Sequence, residues 1–186
     1  MQIQQRFGKS LAGAAALLAV SAPATGAGWT THQWDQASSL GRTALVIGAI
    51  GAPAVQNDWS ATGQSALAIG GASAVTGILK YSIHETRPDG SDSHSFPSGH
   101  TSASFAAAAS LEQRYGWKVG IPAHLVAAFV GVARVKADRH YWQDVIVGAA
   151  IGEAAGLLLV DHHRHDRHML TGEAPAVTGA GIAIRF

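Results

Sequence analysis

Apolar residues along this chain fall into long blocks separated by short polar stretches. Five blocks have helical length: Thr43 to Val55, Ala61 to Leu79, His100 to Arg114, Val119 to Arg134 and Asp144 to Val160. The first is interrupted by Gly48, Gly51 and Pro53, and the others are rich in small residues. Strand-like alternation appears only at the end, in Thr178, Ala180, Ile182, Ile184 and Phe186. One such segment cannot close a barrel, and an open edge is forbidden in lipid. The pattern therefore predicts an all-α fold, a bundle of about five or six helices with a short irregular C-terminal tail. Gly28 to Leu40 is polar and carries Trp and His, so it is expected as a loop with an amphipathic turn.

The two ends set the domain limits. In Met1 to Ala27, Arg6 and Lys9 precede a short apolar run, Leu11 to Val20, and small residues follow with cleavage points after Ala24 or Ala27. This reads as a signal peptide or an N-terminal membrane helix. The run is shorter than the ~20 residues a span needs, which favours processing. Residues 28–168 then form one helical domain and 169–186 the tail. Such a leader delivers the chain to the periplasm or the periplasmic face of the inner membrane.

Composition narrows the setting. The chain is 47% apolar and only 13% charged, with 22 glycines, which suits closely packed helices in water or in a bilayer. A net charge of +1 without a basic stripe excludes nucleic acid as a general partner. The absence of cysteine removes disulfide, thiol and zinc-finger chemistry. Mean hydropathy is +0.14, the helices rest on Ala and Gly more than on Leu, Ile and Phe, and Glu153 sits midway along the last block. These points favour a compact periplasmic bundle in contact with the membrane over a spanning one. The basic stretch after Val160 points the other way, because it suits a cytoplasmic end.

The chemistry gathers around Pro97-Ser98-Gly99-His100. Pro97 cannot lie inside a helix, Ser98 is a preferred N-cap, and an Ala-rich run follows, so a helix begins there with unpaired backbone N–H groups. Such a terminus attracts an anion, and Gly99 lets the backbone approach it. Upstream stand Lys80, six residues, then Arg87-Pro88; downstream stand Arg134, five residues, His140, three residues and Asp144. All the charged members fall at predicted helix ends, and an antiparallel bundle would bring them to one face.

Each has a task in phosphoryl transfer, where charge spreads over three equatorial oxygens. Arg87 and Arg134 can bind those oxygens in forked pairs, and Lys80 adds a point charge. Ser98 and the Gly99 N–H add donors. His140 can attack phosphorus if it is neutral and if Asp144 fixes its tautomer. The three cations push its pKa down and keep it neutral. His100 remains as the general acid for the departing alkoxide. No metal ligand or other cofactor is called for, and vanadate is expected to inhibit at the phosphate site.

These three blocks resemble the superfamily that unites type 2 phosphatidic acid phosphatases, bacterial class A acid phosphatases and vanadium haloperoxidases. The resemblance covers about 65 residues, Lys80 to Asp144. It implies a helical bundle and a phosphatase with a phosphohistidine intermediate on His140, His100 acting as acid. One position departs: the family usually has Ser before the third-block Arg, and here it is Ala133. The expected substrates are phosphomonoesters, either a phosphorylated lipid or a small soluble ester. A vanadium haloperoxidase is the alternative within the superfamily, disfavoured because those bundles are much larger.

A reading of a different class rests on Asp161-His162-His163-Arg164-His165-Asp166-Arg167-His168, whose spacings could bind a transition metal in a non-catalytic envelope protein. A solvated helix end complementing the dipole is the preferred account of that run. His84, Glu85, His94 and Asp138 flank the blocks without an assigned task, and oligomeric state is not encoded in any of these features.

Overall fold

A computed structural model describes residues 28–162, and five helices make up the fold among them: α1 (Thr31–Ala54), α2 (Trp59–Ser82), α3 (Gly99–Tyr115), α4 (Trp117–Lys136) and α5 (Trp142–Leu159). The leader-like segment 1–27, the C-terminal tail and the His-rich run beyond His162 lie outside the described residues. The all-α expectation holds, and four of the five predicted blocks agree with a helix to within three residues at either end.

The exception is the first. Residues 31–42, expected largely as loop, form the first half of α1. Thr30 and Gln33 make a reciprocal capping box that starts the helix well before the apolar block. Its polar residues break no helical rule; they face a polar neighbour instead of a core, as described below.

Short connections reverse the chain after α1, α3 and α4, and a longer loop, residues 83–98, joins α2 to α3. The start of α1, the end of α2, the start of α3, the end of α4 and the start of α5 therefore gather at one end of the bundle. Helix α3 is the central element and packs against all four others. Its buried residues are nearly all small: Thr101, Ser102, Ala103, Ser104, Ala106, Ala107, Ala108, Ala109 and Ser110, with Leu111 at the end.

Close approach makes this possible. Gly148, Gly152 and Gly156 form a ridge on α5 that lies directly against α3. A Cβ at Gly152 would stand 2.1 Å from the carbonyl oxygen of Ser102, and one at Gly148 would stand 2.6 Å from that of Ser98. Backbone cannot yield at such distances, so only glycine fits.

Side-chain size is sorted in an unusual way. Val130 is the largest fully buried side chain, whereas Ile47 (65%), Leu125 (66%) and Leu158 (82%) point outward. A water-exposed protein gains about 1.5–3 kcal/mol by burying each such side chain, so this arrangement runs against the hydrophobic effect in water. Helices α4 and α5 are long and apolar enough to cross a membrane. The expectation of a compact bundle in contact with the membrane rests on average hydropathy, which does not register this sorting.

Candidate active site

The gathered helix ends carry all three blocks. Ser98 caps α3: its side chain accepts from the Thr101 N–H and pairs with the Thr101 hydroxyl at 2.9 Å. The residue is fully buried, and its hydroxyl serves the helix start. The Ser98 N–H donates to the Asp144 carbonyl at 3.0 Å, which ties the second block to the first turn of α5.

His140 lies in the short connection between α4 and α5 and is 2% exposed; Asp144 is fully buried. The His140 Nδ1 is 3.2 Å from Asp144 Oδ2, which leaves Nε2 as the free ring nitrogen. The same carboxylate oxygen accepts from the Tyr141 N–H at 3.0 Å and from the Ser95 hydroxyl at 2.5 Å. Burial, then the positive charges of Arg134, Lys80 and Arg87, push the His140 imidazole down to about 4, against the opposing hydrogen bond from Asp144. Burial is the largest single cause, and the three cations add to it in the same direction. A neutral ring with an oriented tautomer is the form that can act as a nucleophile.

The cations converge on that ring, and each is held in place. Lys80, in the last turn of α2, donates to the carbonyls of His94 at 2.7 Å and Ser95 at 2.9 Å, bracing the loop before the second block. Arg87 Nε contacts both oxygens of Asp92 at 2.8 Å, and its Nη1 reaches the Arg139 carbonyl. The Arg87 guanidinium, with the His94 N–H, holds the Asp92 carboxyl below the usual carboxylate range. Arg134 is buried and donates through Nη1 to Asp35 and Ser38, both on α1. Its buried Nε–H has no acceptor among the described residues. Gly99 stands at the first position of α3, where its N–H is among the donors a helix leaves unpaired.

His100 is half-buried, and its Nε2 is 3.2 Å from the Ser39 hydroxyl. Arg134, Arg42 and His140 all act electrostatically on it. Beside these groups a cleft of about 200 Å³ is lined by Thr31, His32, Asp35, Asp89, Asp138 and Arg139.

Several contributors lie outside the three blocks. Asp35, Ser38 and Ser39 recur at helical spacing on α1 and face Arg134 and His100. Arg139 bridges Asp35 at 3.1 Å and Asp89 at 2.9 Å, linking α1 to the 83–98 loop. Ser95 reaches Asp144. The capping box at Thr30 is the one sequence signal that would have extended α1 back to include Asp35. Ala133, the departure from the family pattern, is fully buried in α4. Among the described residues, no group of three His, Cys, Asp or Glu is placed to hold a metal ion.

Residues 61–166 match the PAP2 superfamily. The chain is similar to lipid A 1-phosphatase of Porphyromonas gingivalis, 40% identical over 82 residues, which cover 42% of this chain and 18% of that protein. It is similar to lipid A 4'-phosphatase of Helicobacter pylori, 34% identical over 77 residues, 41% of this chain and 39% of the other. Lipid phosphate phosphatase 2 of Arabidopsis thaliana is 44% identical over 72 residues, 31% of this chain and 25% of that one. The matched stretches thus span at most 39% of the length of these relatives. No solved structure matches the chain.

Proposed function

The chain belongs to the PAP2 superfamily, and we propose on that premise that it is a membrane-embedded phosphatase that removes phosphate from phosphorylated lipids. The observation that carries the reading is the buried His140–Asp144 pair with its free Nε2 among Lys80, Arg87 and Arg134. His140 attacks phosphorus, a phosphohistidine forms as the ester bond breaks, and water then releases phosphate. Arg134 Nε–H, the Arg87 guanidinium, the Lys80 ammonium and the N–H groups opening α3 at Gly99 offset the charge on the three equatorial oxygens. His100 hands a proton to the departing alkoxide. With Arg134 and Arg42 nearby, it carries that proton only when the negative phosphate lies beside it. The chemistry draws its charge stabilisation from side chains, so no metal enters it.

Lipid is favoured as substrate by the surface around the site. Aromatic residues mark both ends of the bundle: Tyr81, Tyr141 and Trp142 at the charged end, Trp59 and Trp117 at the other, all exposed. Two such belts separated by an apolar surface match the two interfaces of a bilayer. The 18 residues of α5 extend about 27 Å, close to the ~30 Å hydrocarbon thickness. The relatives named above for lipid A and lipid phosphate substrates favour the same class.

Orientation follows from chain order. Helix α1 begins at the charged end, directly after a leader-like segment that carries its cations before its apolar run. Arg164 and Arg167 follow α5, which ends at the opposite side. Both place the charged end outside and the opposite end in the cytoplasm, under the positive-inside rule. In a bacterium the site then faces the periplasm.

The test is purified full-length protein in detergent micelles with phosphatidate, a prenyl phosphate and a soluble aryl phosphate. Release of phosphate from the lipids, blocked by vanadate, unchanged by EDTA and absent in His140→Ala, is the expected result. EDTA-sensitive turnover, or turnover that survives His140→Ala, would overturn the mechanism. Protein released from membranes by high salt without detergent would overturn the embedding.

A further inference from the structure

Asp144 uses one carboxylate oxygen three times and the other not at all. Oδ2 accepts from Ser95, Tyr141 and His140, while Oδ1 is buried with no donor among the described residues. A second buried oxygen without a donor, Glu85 Oε2, lies in the same part of the molecule. Glu85 stands on the 83–98 loop, pinned by its carbonyl, which accepts from the Ser95 N–H at 2.9 Å. Its Oε1 accepts from Gln143 Nε2 at 3.1 Å. Ser95 and Gln143 draw the two carboxyl groups together: Ser95 donates its N–H to the Glu85 carbonyl and its hydroxyl to Asp144, and Gln143 neighbours Asp144 on α5.

Two ionised carboxylates cannot satisfy each other, since each offers only lone pairs. A single proton between them satisfies both orphaned oxygens at once. The geometry also says which partner carries it. Asp144 Oδ2 already takes three donors, from Ser95, Tyr141 and His140, so Asp144 is placed as the acceptor of the pair. Glu85 has one neutral amide donor. His140 and the Ser95 hydroxyl also face Asp144, and the cations Lys80, Arg87 and Arg134 act on His140 beside it.

We propose that Glu85 is a positioning residue: it is held as a neutral carboxylic acid and donates to Asp144 Oδ1, and this second anchor keeps Asp144 Oδ2 on the His140 Nδ1–H. A carboxylate tied at both oxygens cannot rotate about its Cβ–Cγ bond, so the ring it orients keeps Nε2 directed at phosphorus. Burial and the neighbouring Asp144 charge raise the Glu85 carboxyl above the ordinary glutamate range, as such a role requires. When pH rises far enough to ionise Glu85, two negative charges face each other and the anchor becomes a repulsion. The inference rests on the phosphatase reading for its kinetic part only; the shared proton is a property of the fold.

Glu85→Gln and Glu85→Ala separate the possibilities in purified full-length protein. In Gln the amide oxygen still meets Gln143, and the amide N–H replaces the acid proton on Asp144 Oδ1 but cannot ionise. The expected result is that Glu85→Gln extends phosphatidate turnover to higher pH by removing a one-proton falling step that wild type shows. Glu85→Ala should lower kcat roughly tenfold with KM within about twofold, the scale of losing an outer partner of a functional group. Infrared titration should show a carboxylic-acid C=O band persisting above the ordinary glutamate range in wild type and missing in Glu85→Gln. Superimposable pH profiles for wild type and Glu85→Gln, or an unchanged infrared band, would overturn the proposal. If wild type hydrolyses no phosphoester, the functional reading fails while the infrared band still decides whether the proton is shared.

Discussion

The charged end of this bundle and its apolar body solve the same problem by opposite means. At the charged end, position is set by side chains: Asp35, Asp89, Asp92 and Asp144 each hold a cation or a ring. One turn further along α3 and α5, position is set by the lack of side chains, where Gly148, Gly152 and Gly156 let two backbones meet. Substitutions at the first region should change chemistry and spare the fold. Substitutions at the second should do the reverse.

The sharpest test of the first half is Asp144→Asn. The tautomer of His140 is then no longer enforced, and kcat is expected to fall by about 10⁴, the scale of removing the orienting carboxylate of a catalytic triad. Helical circular dichroism should be unchanged; a collapse of helicity would break the comparison. Gly152→Val tests the second half, because its Cβ meets the Ser102 carbonyl. Overpacking against rigid backbone costs about 3 kcal/mol or more, to be read as a lowered melting temperature in detergent and loss of monodisperse protein.

The pH dependence comes next in size. With His140 at about 4, the rising limb of kcat/KM should be centred near pH 4, each further unit of acid costing about tenfold. The same group affects stability. Its folded value lies below the ordinary 6.5, so the unfolded chain takes up the proton first as pH falls. Stability is unaffected above about 6.5 and is lost between 6.5 and 4, a loss that His140→Ala should remove from urea-unfolding curves.

Asp35→Asn removes a charged partner of Arg134 and Arg139 and should lower kcat/KM by roughly tenfold, the scale of a hydrogen bond to a charged group. The smallest effect is expected at Gly70, on the outer face of α2, where a Cβ meets nothing within 4 Å. Gly70→Ala should stabilise the fold slightly, by at most ~1 kcal/mol from helix propensity, read as a small rise in melting temperature. Destabilisation there would show that glycine matters in this bundle for some reason other than close approach.

The difference between the regions also explains what could be read from the chain. Helix blocks and the Lys80, Arg87, His100, Arg134, His140 and Asp144 pattern were legible because each depends on local spacing. Asp35 was not, because its partner Arg134 is 99 residues away and no local pattern marks the pair. The first half of α1 read as loop for the same reason: its polar face turns towards the site, so no apolar period appears. The outward sorting of large side chains was hidden as well. Average hydropathy reports how apolar a block is and carries no record of which face bears the bulk.

The glycine ridge has one more consequence. Asp144 and Gly148 are four residues apart on α5, so the carboxylate that orients His140 and the seat against Ser98 share one rotational setting. A single inserted residue between them would turn one against the other by about 100°. Length variation in related chains should therefore be barred from this turn.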